Sequence, residues 1–339
     1  MRINKIKNRM MAISSYLREE VVVSHMPVTL EIESTNYCNE DCWMCPRKYM
    51  ERPMGNLSLP LLKKIISQNK GTLELINLFH CGEPLMHPKL AEMISYCHKQ
   101  GIKVLITTTG NLLTPAKSIE LIRSGLDMIV FSIDAVTSET YGKIRKGNYN
   151  KVICNIEELI RLKTKYKCGP FIQVQMVKMD LNCHEVDAFV KRWSNKADSV
   201  RVKRIYNTAD IATIIGQKLP ESKNKKVAPC IMLWREPVIC WDGSVLPCCV
   251  DLIGQVSLGN VKEKSLREIW NDKTMREMRR LHIEGRHKEI ELCKNCTIFQ
   301  VKKPFLLGSV LLDDLTIRKV NPFIERLDTV YGINKINHF

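Results

Sequence analysis

The chain has 339 residues, 45% of them apolar and 26% charged, enough for one large domain plus a smaller one. It has no run of eighteen or more apolar residues and no continuous apolar stretch of a secretory signal, so neither a transmembrane helix nor export is expected. The formal net charge of +16 is spread along the chain without a nucleic-acid-binding module, which points to a basic, solvated surface with a basic active-site mouth. Residues 1–26 read as an N-terminal amphipathic helix, with Ile3, Ile6, Met10, Ile13 and Leu17 at gaps of three and four. Packing against the main body is its expected role, and a membrane-surface anchor is the alternative, given Lys5, Lys7 and Arg9.

From Val28 the pattern alternates. Strands are expected at 28–33, 73–79, 104–108, 128–133, 171–177 and 199–205. Helices are expected at 59–69 behind the N-cap Ser58, then at 89–100, 116–124, 151–164 and 184–194, with Gly101 and Gly125 as stops. Six such units imply parallel pairing and fall short of a closed eight-stranded barrel. The expected fold is α/β, a partial (β/α)6 TIM-like barrel over 27–207, with chemistry at the carboxyl ends of the strands. A polar linker follows at 208–228. Residues 229–298 form a small second domain: Asp242-Gly243 centres a β-hairpin, and a helix is expected over 265–281. The tail, 299–339, carries no assignable motif.

The fourteen cysteines group into close pairs without an export signal, which favours metal binding in a reducing cytosol. Cys38, Cys42 and Cys45 follow the first strand as C-x3-C-x2-C. Three thiolates at that spacing can hold three irons of a [4Fe–4S] cluster and leave the fourth free for another ligand. A zinc knuckle is the other reading, although zinc wants a fourth ligand nearby and none follows within thirty residues. The stretch resembles the radical S-adenosylmethionine (SAM) enzymes. Several further segments carry that resemblance. Gly82-Glu83-Pro84 ends strand two, with Cys81 in place of the family's first glycine. Thr108-Thr109-Gly110-Asn111 ends strand three. Ser132-Ile133-Asp134 ends strand four, and Arg145 follows. The resemblance implies that Glu83 and its neighbours receive the SAM ammonium, Ser132 and Asp134 the ribose, Arg145 the carboxylate and Met44 the adenine. For Asp134 alone, a helix N-cap is the other reading; for Arg145, an ordinary surface arginine. His80 is expected to face the cavity, as is one of Lys203 and Arg204.

Cys230, Cys248, Cys293 and Cys296 make a four-thiolate set suited to zinc or to a second [4Fe–4S] cluster. Pro229-Cys230 and Cys240 to Cys249 resemble the SPASM/Twitch extension of radical SAM enzymes. With no cysteine after Cys296, the shorter Twitch form with one auxiliary cluster fits better, as in aminocyclitol dehydrogenases. Cys249 is a candidate hydrogen-atom donor, as in radical SAM epimerases, or a ligand, or a small buried thiol. Cys97, Cys154, Cys168 and Cys183 are read as structural. The resemblance implies a 5′-deoxyadenosyl radical that takes a hydrogen atom from a sugar or aminocyclitol carbon, giving a ketone or an epimer. Modification of a ribosomally made peptide is the alternative. A small-molecule substrate, anionic or polyhydroxyl, and a reductant such as flavodoxin or ferredoxin are the implied partners.

Overall fold

The computed structural model describes residues 2–205, 216 and 228–297. The expected linker lies almost wholly outside these residues, and the tail 299–339 entirely so. Six parallel strands form the body: β1 (Thr29–Ile32), β2 (Leu75–Asn77), β3 (Lys103–Thr108), β4 (Met128–Ser132), β5 (Phe171–Lys178) and β6 (Ser199–Arg204). Helices α2 (Leu59–Asn69), α3 (Leu90–Lys99), α4 (Pro115–Arg123), α6 (Tyr149–Tyr166) and α7 (Val186–Trp193) connect them. This is the expected partial barrel.

The sheet continues past β1. Strand β7 (Val238–Ile239) pairs parallel to β1, and the antiparallel strands β8 (Ser244–Leu246) and β9 (Gly259–Asn260) follow, so one sheet of nine strands spans both parts of the chain. The second domain therefore covers the free edge of the first strand, whose exposed N–H and C=O groups would otherwise lack partners.

Register separates the two faces of the sheet. Leu30, Ile32, Ile76, Val104, Ile106, Ile129, Phe131, Val174 and Ile239 join the main core on the helix side. The inner face carries Leu75, Leu105, Met128 and Val130 in a smaller apolar cluster. Toward the carboxyl ends, the same face turns polar, with Glu31, Asn77, Thr107, Ser132, Gln173, Gln175, Arg201 and Lys203 in register across neighbouring strands. Lys203 thus holds the inward position expected of one of the two basic residues.

Four elements differ from expectation. Helix α1 (Arg2–Leu17) packs through Asn8, Ala12, Ile13, Ser15 and Tyr16. Ile3, Ile6, Met10 and Leu17 are exposed, Ile3 by 80%, so the periodic apolar stripe is not the buried one. Helix α5 (Ser138–Arg145) was not apparent from periodicity; Thr137 caps it by accepting from Thr140 N–H. The helix expected over 265–281 is two, α9 (Leu266–Trp270) and α10 (Lys273–Ile283). Asp272 starts the second by accepting from Thr274 N–H. Short helices α8 (Met232–Arg235) and α11 (Glu291–Lys294) complete the second domain. Cys97 is buried as expected of a structural thiol, but Cys154, Cys168 and Cys183 are exposed and have no packing role.

Candidate active site

The cysteine loop leaves β1 through a buried polar run, Glu33 to Asn36. Asn36 ties it to the returning chain: Asn36 Nδ2 donates to Pro53 O at 2.8 Å, and Gly55 N–H donates to Asn36 Oδ1 at 2.8 Å. On the far side, Trp43 N–H donates to Ile144 O at 2.8 Å, which pins the loop to the end of α5. Cys42 is buried, and Cys38 and Cys45 are half-buried. Burial raises the Cys38 thiol to about 11 and Cys42 to about 12. These thiols stay protonated near neutrality unless a metal displaces the proton. Glu40 lies inside the loop and is buried. It accepts from Asn111 Nδ2 and Tyr141 Oη at 3.4 Å, and burial raises its pKa.

Gly82 sits where only glycine fits. Its φ is +149°, and a Cβ there would lie 2.3 Å from Thr35 O. This close approach brings the Gly-Glu-Pro turn against the cysteine loop, where Glu83 N–H donates to Tyr37 O at 2.8 Å. The Glu83 carboxylate is committed elsewhere. One oxygen accepts from Leu85 N–H and Thr108 Oγ1, and the other from Thr109 N–H and Oγ1. A carboxylate has about four acceptor positions, so this one is filled. Glu83 thus joins the ends of β2 and β3. Thr109, which stands where the family often has asparagine, is thereby explained: its hydroxyl completes the set.

Asp134 and Arg145 were expected to face different parts of SAM, yet they pair with each other. Asp134, at φ +60°, is fully buried; its other oxygen accepts from Val177 N–H at 2.6 Å. It caps no helix, because Thr137 does that. Its carboxylate, expected at the ribose, links Arg145 to the backbone of β5. Arg145 is no surface arginine: it is buried, with Nη1 3.5 Å from Cys42 Sγ, and its Nε has no hydrogen-bond partner among the described residues. That orphaned donor beside a cluster cysteine fits an incoming carboxylate. Ser132 accepts from Gln175 Nε2 at 2.7 Å, and Gln175 Oε1 is left without a partner. Met44, on the cysteine loop, is half-buried.

Between the two parts of the sheet lies a buried polar seam. His80 is wholly buried as a side chain, with Nδ1 2.5 Å from Glu31 Oε1 and Nε2 3.2 Å from Asp251 O. It is a tie between β1 and the loop after Cys249, not an open cavity residue. Asn77 Nδ2 donates to Glu236 Oε1 at 2.6 Å, and Arg52 forms a two-point bridge to Glu33. Cys249 packs with Val238, Cys240 and Leu246 on the inner face. Burial, with the nearby Glu31, Cys248 and Glu236, holds its thiol well above the ordinary value.

Farther out, Cys230, Cys248, Cys293 and Cys296 line one cavity together with His282 and apolar side chains. All four thiols are buried. Among the described residues, no three His, Cys, Asp or Glu side chains converge on a point that one metal ion could occupy. Four buried thiols around one cavity are a donor set for an iron–sulfur cluster.

Residues 32–177 match the radical SAM superfamily, and residues 230–297 match SPASM, an iron–sulfur cluster-binding domain. The chain carries a radical SAM domain followed by a SPASM domain. The tungsten-containing aldehyde ferredoxin oxidoreductase cofactor-modifying protein of Pyrococcus furiosus is 26% identical over 288 residues, covering 71% of this chain and 80% of that protein. The S-adenosyl-L-methionine-dependent 2-deoxy-scyllo-inosamine dehydrogenase of Niallia circulans is 21% identical over 278 residues, covering 80% and 94%. Among solved structures, Streptococcus suis SuiB bound to its precursor peptide SuiA gives a TM-score of 0.61 at 16% identity, covering 92% of this chain and 78% of SuiB. BtrN in complex with AdoMet and 2-DOIA gives 0.53 at 19%, covering 80% and 93%. These likenesses show a shared fold.

As a radical SAM protein with a SPASM domain, the chain has SAM, a [4Fe–4S] cluster and auxiliary iron–sulfur clusters as its cofactors. The donor sets fit them: three thiols on one loop beside an orphaned arginine nitrogen, and four around a closed cavity. No helix among the described residues is long and apolar enough to cross a membrane. Motif reading missed Glu31, Glu40, Glu236, Gln175 and His282, which are isolated in sequence and gain meaning only from strand register or from the cavity they line. Glu40 alone carried a signal, since a carboxylate between two cluster cysteines invites the question of its partner.

Proposed function

We propose that this radical SAM protein removes a hydrogen atom from a carbon of a sugar or aminocyclitol, giving a ketone or, with Cys249 as hydrogen donor, an epimer. Cys38, Cys42 and Cys45 hold the SAM-binding cluster. The Gly82–Pro84 turn, Ser132 and Arg145 position SAM, with Met44 against the adenine. Cys230, Cys248, Cys293 and Cys296 hold one auxiliary cluster, the Twitch arrangement. When bound, the first cluster and SAM supply the hydrogen-abstracting radical, and the auxiliary cluster supplies an electron acceptor or donor.

The observation that carries this reading is the place of Cys249. It lies on the inner face of the sheet with Val238, Cys240 and Leu246, half-buried and next in sequence to Cys248. A hydrogen donor must keep its S–H bond, and burial beside Glu31 and Glu236 disfavours the thiolate. On the same face of the sheet, Asn77 Oδ1 and Gln175 Oε1 are buried acceptors without hydrogen-bond partners among the described residues. Buried acceptors of this kind are costly until paired, and substrate hydroxyls would pair them. Arg201 and Lys203 share that face and suit an anionic group.

Peptide modification is the second reading. It is favoured by similarity to the PqqA peptide cyclase of Gluconobacter oxydans, 23% identical over 300 residues, and by the fold shared with SuiB. The deciding experiment incubates the anaerobically reconstituted chain with SAM, a reductant and either aminocyclitols or short peptides in D2O. The proposal expects 5′-deoxyadenosine to form with the aminocyclitols. Their product should lose two hydrogen atoms, or keep its carbon skeleton and gain one carbon-bound deuterium. A Cys249→Ala chain should lose the deuterated product. Turnover with peptides alone would replace this reading, and unchanged deuterium transfer by Cys249→Ala would remove the donor role.

A further inference from the structure

Besides the four thiols and apolar side chains, one imidazole lines the auxiliary cavity, and it touches two of the cysteines. His282, on α10, is buried among the four thiols. Its Nδ1 lies 3.3 Å from the backbone nitrogen of Cys230, and its Nε2 lies 3.4 Å from Cys293 Sγ. A backbone N–H only donates, so Nδ1 is the acceptor and bears no proton. The single ring proton is then on Nε2, directed at the Cys293 sulfur. The other face of the ring is held by His287, stacked at 5.6 Å and 28°. The tautomer is thus set by the main chain of one cluster cysteine and presented to the sulfur of another.

We propose that His282 is a positioning residue of the auxiliary cluster: its Nε2–H donates to the Cys293 thiolate and raises the cluster's reduction potential. The proposal rests on Cys230, Cys248, Cys293 and Cys296 being the cluster's ligands. An N–H···S bond draws charge from the thiolate. The reduced cluster carries one more electron than the oxidised cluster, so the bond stabilises the reduced form more. Cys293 is buried, with Cys296 and Asp251 adding negative potential beside it, so the N–H meets an electron-rich sulfur. His282 therefore supplies the donor that makes the cluster a better electron acceptor. Its link to Cys230 N–H also couples the hairpin side of the cavity to the C-x2-C side.

The test uses the full chain carrying Cys38→Ala, Cys42→Ala and Cys45→Ala, reconstituted anaerobically so that only the auxiliary cluster reports. About four irons per chain establish the ligand set before His282 is touched. No iron in that chain overturns the ligand assignment and the proposal with it. The midpoint potential is then read by a redox titration followed by electron paramagnetic resonance. His282→Leu is expected to lower the potential with iron retained. His282→Gln, which restores an N–H donor, is expected to keep it near the parent value. An unchanged potential in His282→Leu, or an equal fall in both variants, overturns the proposal. Should His282→Leu lose its iron, His282→Gln decides: a parent-like potential supports the donor role, and a lowered potential or lost iron overturns it.

Discussion

Single side chains decide how the SAM-binding end is assembled. Gly82 lets the turn after β2 lie on the backbone of Thr35 and Asn36, and a methyl group there meets the Thr35 carbonyl at 2.3 Å. Gly82→Ala is expected to cost about 2 kcal/mol in stability and to weaken SAM binding, read by thermal melting and equilibrium binding. Equal melting and equal affinity would sink this account of the turn. His80 offers a second test. Burial pulls its pKa down, but the Glu31 carboxylate outweighs that and raises it above the usual imidazole value. A raised folded-state value means that the pair stabilises fully below about pH 6.5, the unfolded value, and fades as pH rises through the folded value. The stability gap between the parent chain and Glu31→Gln should therefore be widest near pH 6 and narrow toward pH 9. A gap that widens with pH would refute the ionic pair.

At the level of elements, local chemistry was legible where a cap or turn demands one residue type. The Asp242-Gly243 hairpin formed as read, with Gly243 at φ +91°, and Ser58 caps α2 by accepting from Leu61 N–H at 3.2 Å. The break at Asn271-Asp272 was hidden because apolar periodicity continues through Ile269, Trp270, Met275 and Met278. There, the Asp272 side chain starts the next helix by accepting from Thr274 N–H, and the Asn271 side chain turns away to Val23. Helix α1 shows the opposite failure. Ile3, Ile6, Met10 and Leu17 fall within roughly 60° of one another on a helix, an inviting stripe. The packed face is instead built on Tyr16, whose Oη donates to Pro229 O at 2.9 Å and whose ring meets Trp234 edge-on at 5.5 Å. Ile6→Glu is thus expected to shift Tm by no more than about 2 °C, whereas Tyr16→Ala should cost roughly 3–5 kcal/mol. A large loss in Ile6→Glu, measured by denaturant titration, would show that the stripe is covered.

The whole molecule is more continuous than its two family matches suggest. Strand β7 extends the barrel sheet, and the N-terminal segment is sewn to the SPASM domain. His25 Nε2 lies 2.8 Å from Trp234 O, Trp234 Nε1 donates to Glu20 O, and Asn271 pairs with both main-chain groups of Val23. Arg279 is the hub: fully buried, it donates to the carbonyls of Leu233, Val21 and Trp270 while lying 4.6 Å from the Trp270 ring. Burial lowers its pKa, and among the described residues its hydrogen bonds go to these three carbonyls and to Asn271 Oδ1. An ammonium cannot span three carbonyls in one plane, so Arg279→Lys is expected to cost roughly 3 kcal/mol. Retention of parent stability in that variant would deny Arg279 this role.

The sequence by itself determined the family, the alternating strands and helices, and the seven cysteines proposed as ligands, because cluster ligation and strand burial need particular residue types at short spacings. Only the tertiary structure decided which polar groups are already spent. Glu83 is filled by Thr108, Thr109 and Leu85, and Asp134 is taken by Arg145, leaving the Arg145 Nε beside Cys42 without a hydrogen-bond partner among the described residues. Apart from the local bond from Leu85, those pairings join residues 11 to 26 positions apart, and no local pattern marks them. The same holds for His282, whose role depends on the backbone of a residue 52 positions away. A side chain's chemistry is written in the sequence, but whether its donors and acceptors remain available depends on partners that only folding supplies.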